Sequence, residues 1–463
     1  MKKSIQIEDI INKRKEYKIS QIKLAKYSGF TPAEISGWEK GKNKPTESQL
    51  EKLNSFLEKM VYEIDNNSLD VTKKKIVKSE KEKNFKVPKA IKNSDEYNSL
   101  LRKRETKIEN QYRDSLSDLY KKMTKKKDDS APIGIALFSG CGGLTAGFEA
   151  EGFNIVGHIE IESSANKIYE ENYPNSELLK NDICDVTKED IKKWKEKYGD
   201  IDIIIGGPPC QGFSLAGKRN PDDIRNQLYK KYAEVVSLIK PKVFVMENVF
   251  NMTTMKDVDG VLFIDKIKEL FKEYGYELNI NYINAKDFGV AESRERVIII
   301  GTKSGEPSIS LKNISKKEIT FREATSDLKE IEAAELSDDP LHWSISHPQH
   351  VIEWLKCVPE GHSAHENKDE NLRPPSGFNT TYKRIYWDQP CSTISTNFSM
   401  ISGSRNVHPK ATRSFTIREA ARVQSFPDEF VFVGNWGDVR KAIGNAVPPL
   451  LAMSIANQIK TLL

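Results

Sequence analysis

Cys210 stands in Gly206-Gly207-Pro208-Pro209-Cys210-Gln211-Gly212-Phe213-Ser214, directly after the apolar run Ile201 to Ile205. An apolar run of that length bounded by Gly and Pro reads as a buried parallel strand, and open α/β sheets bind ligands in the loops past their strands' carboxyl ends. A thiol there is presented to a ligand, and the two prolines ahead of it restrict the backbone that aims it. Structural burial, metal ligation and nucleophilic attack are the uses open to it. The five cysteines, at 141, 184, 210, 357 and 391, are odd in number, widely spread and contain no C-x-x-C pair. That argues against a disulfide framework and against a structural zinc site, so no metal is expected. Two other groups share the chemistry-bearing pattern. Glu247-Asn248 ends the apolar run Lys242 to Met246, and Arg294 and Arg296 precede the run Val297 to Ile300.

Other strand tips must meet these residues. Ile133 to Phe138 runs into Ser139-Gly140-Cys141-Gly142-Gly143-Leu144 and then a helical stretch, a turn whose glycines let backbone approach a ligand closely. The next strand, Asn154 to Ile159, ends at Glu160, about 20 residues after that turn, a placement suited to ribose hydroxyls and so to a nucleoside-containing cofactor. A third tip supplies Asp182-Ile183. Parallel strands align their carboxyl ends, so Gly140, Glu160, Asp182, Cys210 and Glu247 should line one crevice of a doubly wound α/β domain.

Upstream of Ile133 the chain changes character. Residues 1 to 132 carry 32 Lys+Arg against 21 Asp+Glu, whereas the remainder carries 40 against 46. The asymmetry suggests a polyanionic partner. Residues 1–60 show helical periodicity, with Leu24, Ala25, Ile35, Trp38, Leu50, Leu53 and Phe56 as core positions. Residues 61–130 read as a charged linker, with Lys73 to Lys75 and Lys125 to Lys127 as solvated stretches. Within it Tyr97, Leu101, Ile108, Tyr112, Leu116, Leu119 and Met123 recur at helical spacing. They predict one amphipathic helix that packs on the following domain or pairs with a second copy. No apolar stretch of membrane-spanning length and no signal-peptide pattern occurs, so a cytoplasmic protein without membrane contact is expected.

The first region resembles the helix-turn-helix of the phage-repressor-like family at Ser20-Gln21, Leu24-Ala25, Gly29, Glu34-Ile35-Ser36, Trp38-Glu39, Gly41 and Pro45. Thr31 should cap its second helix, and Ser36, Lys40 and Lys42 are its expected DNA contacts. From Ile133 onward the motifs resemble the DNA cytosine-C5 methyltransferases. They are Phe138-x-Gly140-x-Gly142-Gly143, Pro208-Pro209-Cys210-Gln211, Glu247-Asn248-Val249 and Arg294-x-Arg296. Thr416 to Arg422 with Gln424 to Pro427, and Gly444-Asn445-Ala446-Val447-Pro448-Pro449, complete the order. The resemblance implies S-adenosylmethionine as cofactor, held by Phe138, Ser139, Gly140, Gly142, Gly143, Leu144, Glu160, Ile161, Asp182, Ile183, Pro208, Asn445 and Ala446. It implies Cys210 as the nucleophile adding to cytosine C6, and Glu247 as the acid at N3. Arg296 would contact O2, and Arg294 would orient a loop or a phosphate. Three departures stand out: Glu292 replaces the family's glutamine, Ala291 stands where proline is common, and Ile161 stands where an aromatic residue often covers the adenine.

The reading is therefore a Rossmann-like catalytic domain, 131–304 with 430–463, a target-recognition domain, 305–429, and the all-α module ahead of them. The polar residues His347, His350, His362, His365, Arg373 and Lys383, with Trp343, occupy the recognition segment without an assigned base. Duplex DNA is the expected partner, and a cognate restriction endonuclease the expected functional one. Competing readings are an RNA cytosine-C5 methyltransferase and a helix-turn-helix regulator whose methylase domain is inactive. The helix-turn-helix counts against the first, and intact Cys210, Glu247 and Arg296 against the second.

Overall fold

Apolar runs alternating with helical stretches build a seven-stranded sheet in the order β3-β2-β1-β4-β5-β8-β6. The strands are β1 (Ile133–Leu137), β2 (Asn154–Ile159), β3 (Glu177–Lys180), β4 (Ile203–Gly206), β5 (Val243–Val249), β6 (Tyr276–Asn284) and β8 (Glu295–Lys303). A separate short pair joins β7 (Glu292–Ser293) to β9 (Cys391–Ser392). The structure, a computed structural model, describes residues 6–17, 19–65, 85–104, 108–209, 228–257, 259–315, 317–375 and 377–463. Cys210 and the rest of its loop, Gln211 to Ser214, lie outside the described residues, as do Lys73 to Lys75. The chain divides into two units, Met1–Glu80 and Lys81–Leu463.

In the larger unit β1 to β5 pair in parallel, and side chains alternate between two apolar layers as a two-residue period requires. Ile204, Phe244 and Met246 face one layer with the helices Lys188–Tyr198, Leu228–Ile239 and Phe263–Glu273. Ile203, Ile205, Val243 and Val245 face the other, with Gly143–Ala150 and Pro449–Ile459. Helices on both faces make the unit doubly wound. One strand departs from the parallel expectation. β8 runs antiparallel between β5 and β6, so its first residues, and with them Arg294 and Arg296, arrive at the sheet edge where the parallel strands end.

The linker stripe forms two helices rather than the single one its spacing predicts, Ser94–Leu101 and Gln111–Met123. Asn93 and Asn110 each accept a backbone N–H in their own first turn, at Glu96 and Arg113, so the second asparagine starts a new helix, and Ile108 is left exposed between them. Tyr97, Leu116, Leu119 and Met123 are buried within the same unit, so the stripe is covered in cis.

Ion pairs lock this extension to residues far along the chain. Arg418 and Arg422 are fully buried, and Asp428 accepts from Arg422 Nε at 2.8 Å and Nη2 at 2.7 Å. Arg418 Nε donates to Asp339 at 2.8 Å, and Arg104 reaches Asp339 at 2.9 Å and also Asp428. Tyr97 Oη donates to the Asp428 carbonyl at 2.6 Å and accepts from Arg418 Nη2 at 2.9 Å. Burial opposes charge on Asp428, yet Arg418 and Arg422 beside it outweigh that and hold its carboxyl well below the carboxylate range.

The smaller unit is built from α1 (Ile7–Glu16), α2 (Gln21–Ser28), α3 (Pro32–Glu39) and α4 (Glu47–Asp65). Its core holds Leu24, Ala25, Ile35, Trp38 and Leu53 as expected, with Leu50 packed against it. Phe56 is the exception: Leu57, one residue on, is buried instead, and Phe56 stays half-exposed under the Lys59 ammonium.

Candidate active site

The turn after β1 is shaped by backbone that only certain residues tolerate. Gly140 and Gly142 take positive φ, 56° and 93°, and Phe138 joins them at 54°. The Ser139 N–H donates to the Ile159 carbonyl at 3.1 Å, tying the turn to the end of β2. Gly140 N–H donates to Glu160 Oε2 and Glu162 N–H to Glu160 Oε1, each at 2.8 Å. Burial pushes the Glu160 carboxyl above its usual range, opposed by those backbone donors. Each Glu160 oxygen keeps a second lone pair for a hydroxyl donor, which fits a ribose. The helix Gly143–Ala150 then points its N-terminus out of the turn, with the Val447 carbonyl and Ala446 packed on Gly143.

Around this turn the other expected cofactor residues take distinct positions. Asp182 Oδ1 accepts from Cys184 N–H at 2.8 Å, just beyond β3. Leu144 and Ile183 put their side chains into the apolar layers, so only their backbone can face a ligand. Ile161 is 65% exposed and stands beside Glu160 as an open apolar surface. Asn445 ends the helix Trp436–Asn445, and Ala446, which follows it in extended backbone, is the residue packed on Gly143. Tyr173 was not legible as a site residue, yet its hydroxyl donates to the Gly142 carbonyl at 2.6 Å and so pins the turn.

On β5 and β8 the acid and one arginine meet. Arg296 Nε donates to Glu247 Oε1 at 2.9 Å, and Arg296 Nη1 to the Glu295 carbonyl at 2.7 Å. The antiparallel register, Val249 opposite Arg296, makes the pair adjacent. Burial first, and Arg294 next to it, pull the Arg296 guanidinium down to about 10, while Glu247 opposes them. Glu247 Oε2 sits 3.0 Å from where a Cβ on Gly207 would stand, so the glycine lets the carboxylate lie against the loop that leads to Cys210. Asn248 Nδ2 donates to the Pro208 carbonyl at 3.0 Å and thereby fixes that loop two residues before the cysteine. The position of Asn248 in the motif was evident from sequence, but this role was not.

Arg294 goes elsewhere. It is buried, and Nη1 and Nη2 donate to the carbonyls of Ile394 at 3.3 Å and Gly444 at 3.1 Å. A guanidinium committed to two backbone carbonyls inside the protein is not presented to a phosphate, so of the two roles expected for Arg294 the geometry fits the orienting of a loop. Among the other cysteines, burial pushes the Cys141 thiol up to about 12 and raises that of Cys391 well above its ordinary value, so both stay protonated. Trp343 and His347 are buried and unavailable to a base edge, with His347 Nε2 accepting the Ser414 N–H at 3.1 Å.

In the smaller unit Thr31 accepts the Glu34 N–H at 3.2 Å and Glu34 reaches back to the Thr31 N–H at 2.7 Å, a reciprocal cap that starts α3. Gly29 turns the chain ahead of it at φ 73°. Lys40 and Lys42 are exposed and Ser36 is half-exposed, at and just past the end of α3. Arg14 Nε on α1 donates to Glu39 Oε1 on α3 at 2.7 Å, and Gln21 Nε2 to Glu39 Oε2 at 2.8 Å, so the end of α3 is held from two sides. Among the described residues no three His, Cys, Asp or Glu side chains gather as a metal site, and no helix is long and apolar enough to cross a membrane.

Comparison with known proteins bears on both units. Residues 134–461 match the model of the C-5 cytosine-specific DNA methylases, and residues 10–59 match a helix-turn-helix model. The Type II methyltransferase M.DdeI of Desulfomicrobium norvegicum is 36% identical over 370 residues, spanning 70% of this chain and 88% of its own. M1.HphI of Haemophilus parahaemolyticus is 35% identical over 334 residues, 70% of this chain and 86% of its own. Among solved structures, one assigned as a DNA modification methyltransferase encoded within an E. coli prophage superposes with a TM-score of 0.57 at 27% identity, covering 72% of this chain and 99% of its own. The DNMT2 of Spodoptera frugiperda, at 0.50 and 17% identity, covering 72% of this chain and 99% of its own, shares the fold.

Proposed function

Because this chain belongs to the C-5 cytosine-specific DNA methylase family, and so is a DNA cytosine-C5 methyltransferase, we propose that it methylates one cytosine within a specific duplex sequence through a covalent bond from Cys210. The observation that carries the reading is the meeting of β4, β5 and β8: Glu247 on β5 bound to Arg296 on β8 at 2.9 Å, with Asn248 holding the Pro208 carbonyl past β4 at 3.0 Å. It supports a cysteine aimed at a base whose polar edge meets an acid and an arginine.

Cytosine C5 is too weak a nucleophile to be alkylated unaided. The Cys210 thiolate adds at C6, forming an S–C bond and pushing an electron pair toward C5 and N3. Glu247 delivers a proton to N3 and Arg296 donates to O2, offsetting the charge that gathers there. Once C5 carries the methyl group, its proton is lost to a base, the N3 proton returns to Glu247 and the C6–S bond breaks, returning the thiolate. Because stacking blocks attack on the ring face, the target nucleotide leaves the helix at a cost of a few kcal/mol. S-adenosylmethionine, when bound, supplies an electrophilic methyl group. Glu160 would hold its ribose, the backbone of Ser139 to Gly143 its amino-acid portion, the Ile161 side chain and the Ile183 backbone its adenine, with Asp182, Asn445 and Ala446 around it.

Incubating the full chain with labelled S-adenosylmethionine and either duplex DNA or RNA tests this. Label should enter duplex DNA, and label in RNA alone overturns the reading. A Cys210→Ser chain as active as the parent overturns the covalent step. The relatives' names as Type II methyltransferases support a place beside a restriction endonuclease, whose cutting the modified DNA should resist. The exposed α3 end supports repression of the chain's own promoter by residues 1–60. Unchanged promoter footprints after their deletion would remove that role.

A further inference from the structure

Glu292 and Arg294 seize one residue from both sides. The Ile394 N–H donates to Glu292 Oε1 at 2.6 Å, and the Ile394 carbonyl accepts from Arg294 Nη1 at 3.3 Å. The same guanidinium spans to the Gly444 carbonyl at 3.1 Å through Nη2. Glu292 is fully buried and Arg294 is 3% exposed, and their own closest approach is 3.6 Å. Neighbouring contacts reinforce the joint. β7 pairs with β9 through Glu292 opposite Cys391, and Thr393 Oγ1 donates to the Ser293 carbonyl at 2.9 Å. Gly444 packs so closely that a Cβ there would stand 2.5 Å from the Thr396 N, so the helix that ends at Asn445 rests on residues 395–396.

We propose that Arg294, seated by Glu292, is a positioning residue that couples residues 391–396, inside the recognition segment 305–429, to the cofactor site. One rigid fork holds residue 394 on one prong and the residue before Asn445 on the other, so displacing either moves the other. Lysine cannot replace it, because a single ammonium on a flexible stem cannot hold two carbonyls in a fixed fork. Glu292 serves as acceptor for the Ile394 N–H and as counter-charge for the buried guanidinium. The consequence is reciprocal: DNA seated on the recognition region should tighten S-adenosylmethionine binding, and the cofactor should tighten DNA binding by the same factor. This rests on the functional reading above, since it needs both ligands.

The test is calorimetric titration of the full chain with S-adenosylmethionine, in the absence and presence of a duplex carrying the target site, repeated for Arg294→Lys and Glu292→Gln. The parent should show a tightening of at least about 5-fold with DNA. Arg294→Lys, with parental circular dichroism, should bind both ligands but lose the tightening. Glu292→Gln, which keeps an oxygen for the Ile394 N–H, should retain it within about 2-fold of the parent. A parent without coupling, or an Arg294→Lys chain that keeps it, overturns the proposal. If Arg294→Lys fails to fold, Arg294→Gln carries the same expectation. Should the parent bind S-adenosylmethionine yet never methylate duplex DNA, the functional reading fails instead.

Discussion

Arginines and carboxylates meet in two regions of the larger unit, and they meet differently. At the sheet edge Arg296 and Glu247 form a single bond of 2.9 Å beside the Gly207 loop. Where the extension ahead of the sheet meets residues 327–428, Arg104, Arg418 and Arg422 share Asp327, Asp339 and Asp428 among them, with the Tyr97 hydroxyl completing the set. Saturated partners hold a structure, whereas a sparsely bonded pair keeps capacity for a ligand. The lesson is that the type of charged pair says little about its purpose, and the number of partners says much.

Neutralising one member of each region is the sharpest way to break the contrast. Glu247→Gln should lower the single-turnover methylation rate roughly 10²- to 10⁴-fold while leaving the urea midpoint near the parent's. A rate within a few-fold of the parent would put the acid elsewhere. Asp428→Asn leaves Arg418 and Arg422 under-compensated in a buried place, and should cost about 3–5 kcal/mol of stability in denaturant unfolding. A loss under about 1 kcal/mol would mean that the network is redundant.

Smaller effects sharpen the picture. Burial, and Arg413 close by, push the imidazoles of His347 and His408 down to about 4 and about 3. Unfolded histidines take up a proton near pH 6.5, which these two refuse in the folded chain. Their stability contribution is therefore complete above pH 6.5 and is lost as the pH falls from there toward 4, at about 1.4 kcal/mol per pH unit for each. Urea midpoints that stay flat from pH 7 to pH 5 would contradict their neutral burial. In the smaller unit, Lys40→Ala with Lys42→Ala should reduce the salt dependence of promoter binding by roughly 0.9 in log–log slope for each phosphate contact removed. An unchanged slope would move the DNA-facing surface away from the end of α3.

Much of this was legible because local chemistry announces it. Gly and Pro follow the strand that leads toward Cys210, glycines with positive φ mark the turn before the helix Gly143–Ala150, and Thr31 with Glu34 caps α3. The rest depends on partners remote in the chain. Nothing near Arg294 in sequence says that it reaches Ile394 and Gly444, and nothing near Tyr173 says that it holds Gly142. The linker helix divides at Asn110 because that side chain both caps its own helix and donates to the Glu323 carbonyl at 2.9 Å. Hydrophobic spacing alone carries no such stop signal. The buried histidines escaped for the same reason, since an irregular segment gives no periodicity from which to read burial.

The extension that precedes the sheet sets a timetable for biosynthesis. Tyr97 bonds to a residue 331 positions later, the Pro88 carbonyl accepts from Trp436 at 2.7 Å, and the Ile91 carbonyl from Gly434 at 2.9 Å. At 5–20 residues per second, the ribosome needs roughly 15–70 s to deliver those partners after the extension has emerged. The small helical unit, whose core lies wholly between Ile10 and Val61, has everything it needs at the outset. A nascent chain thus acquires its DNA-binding module first, and closes its catalytic unit only when nearly the last residues are made.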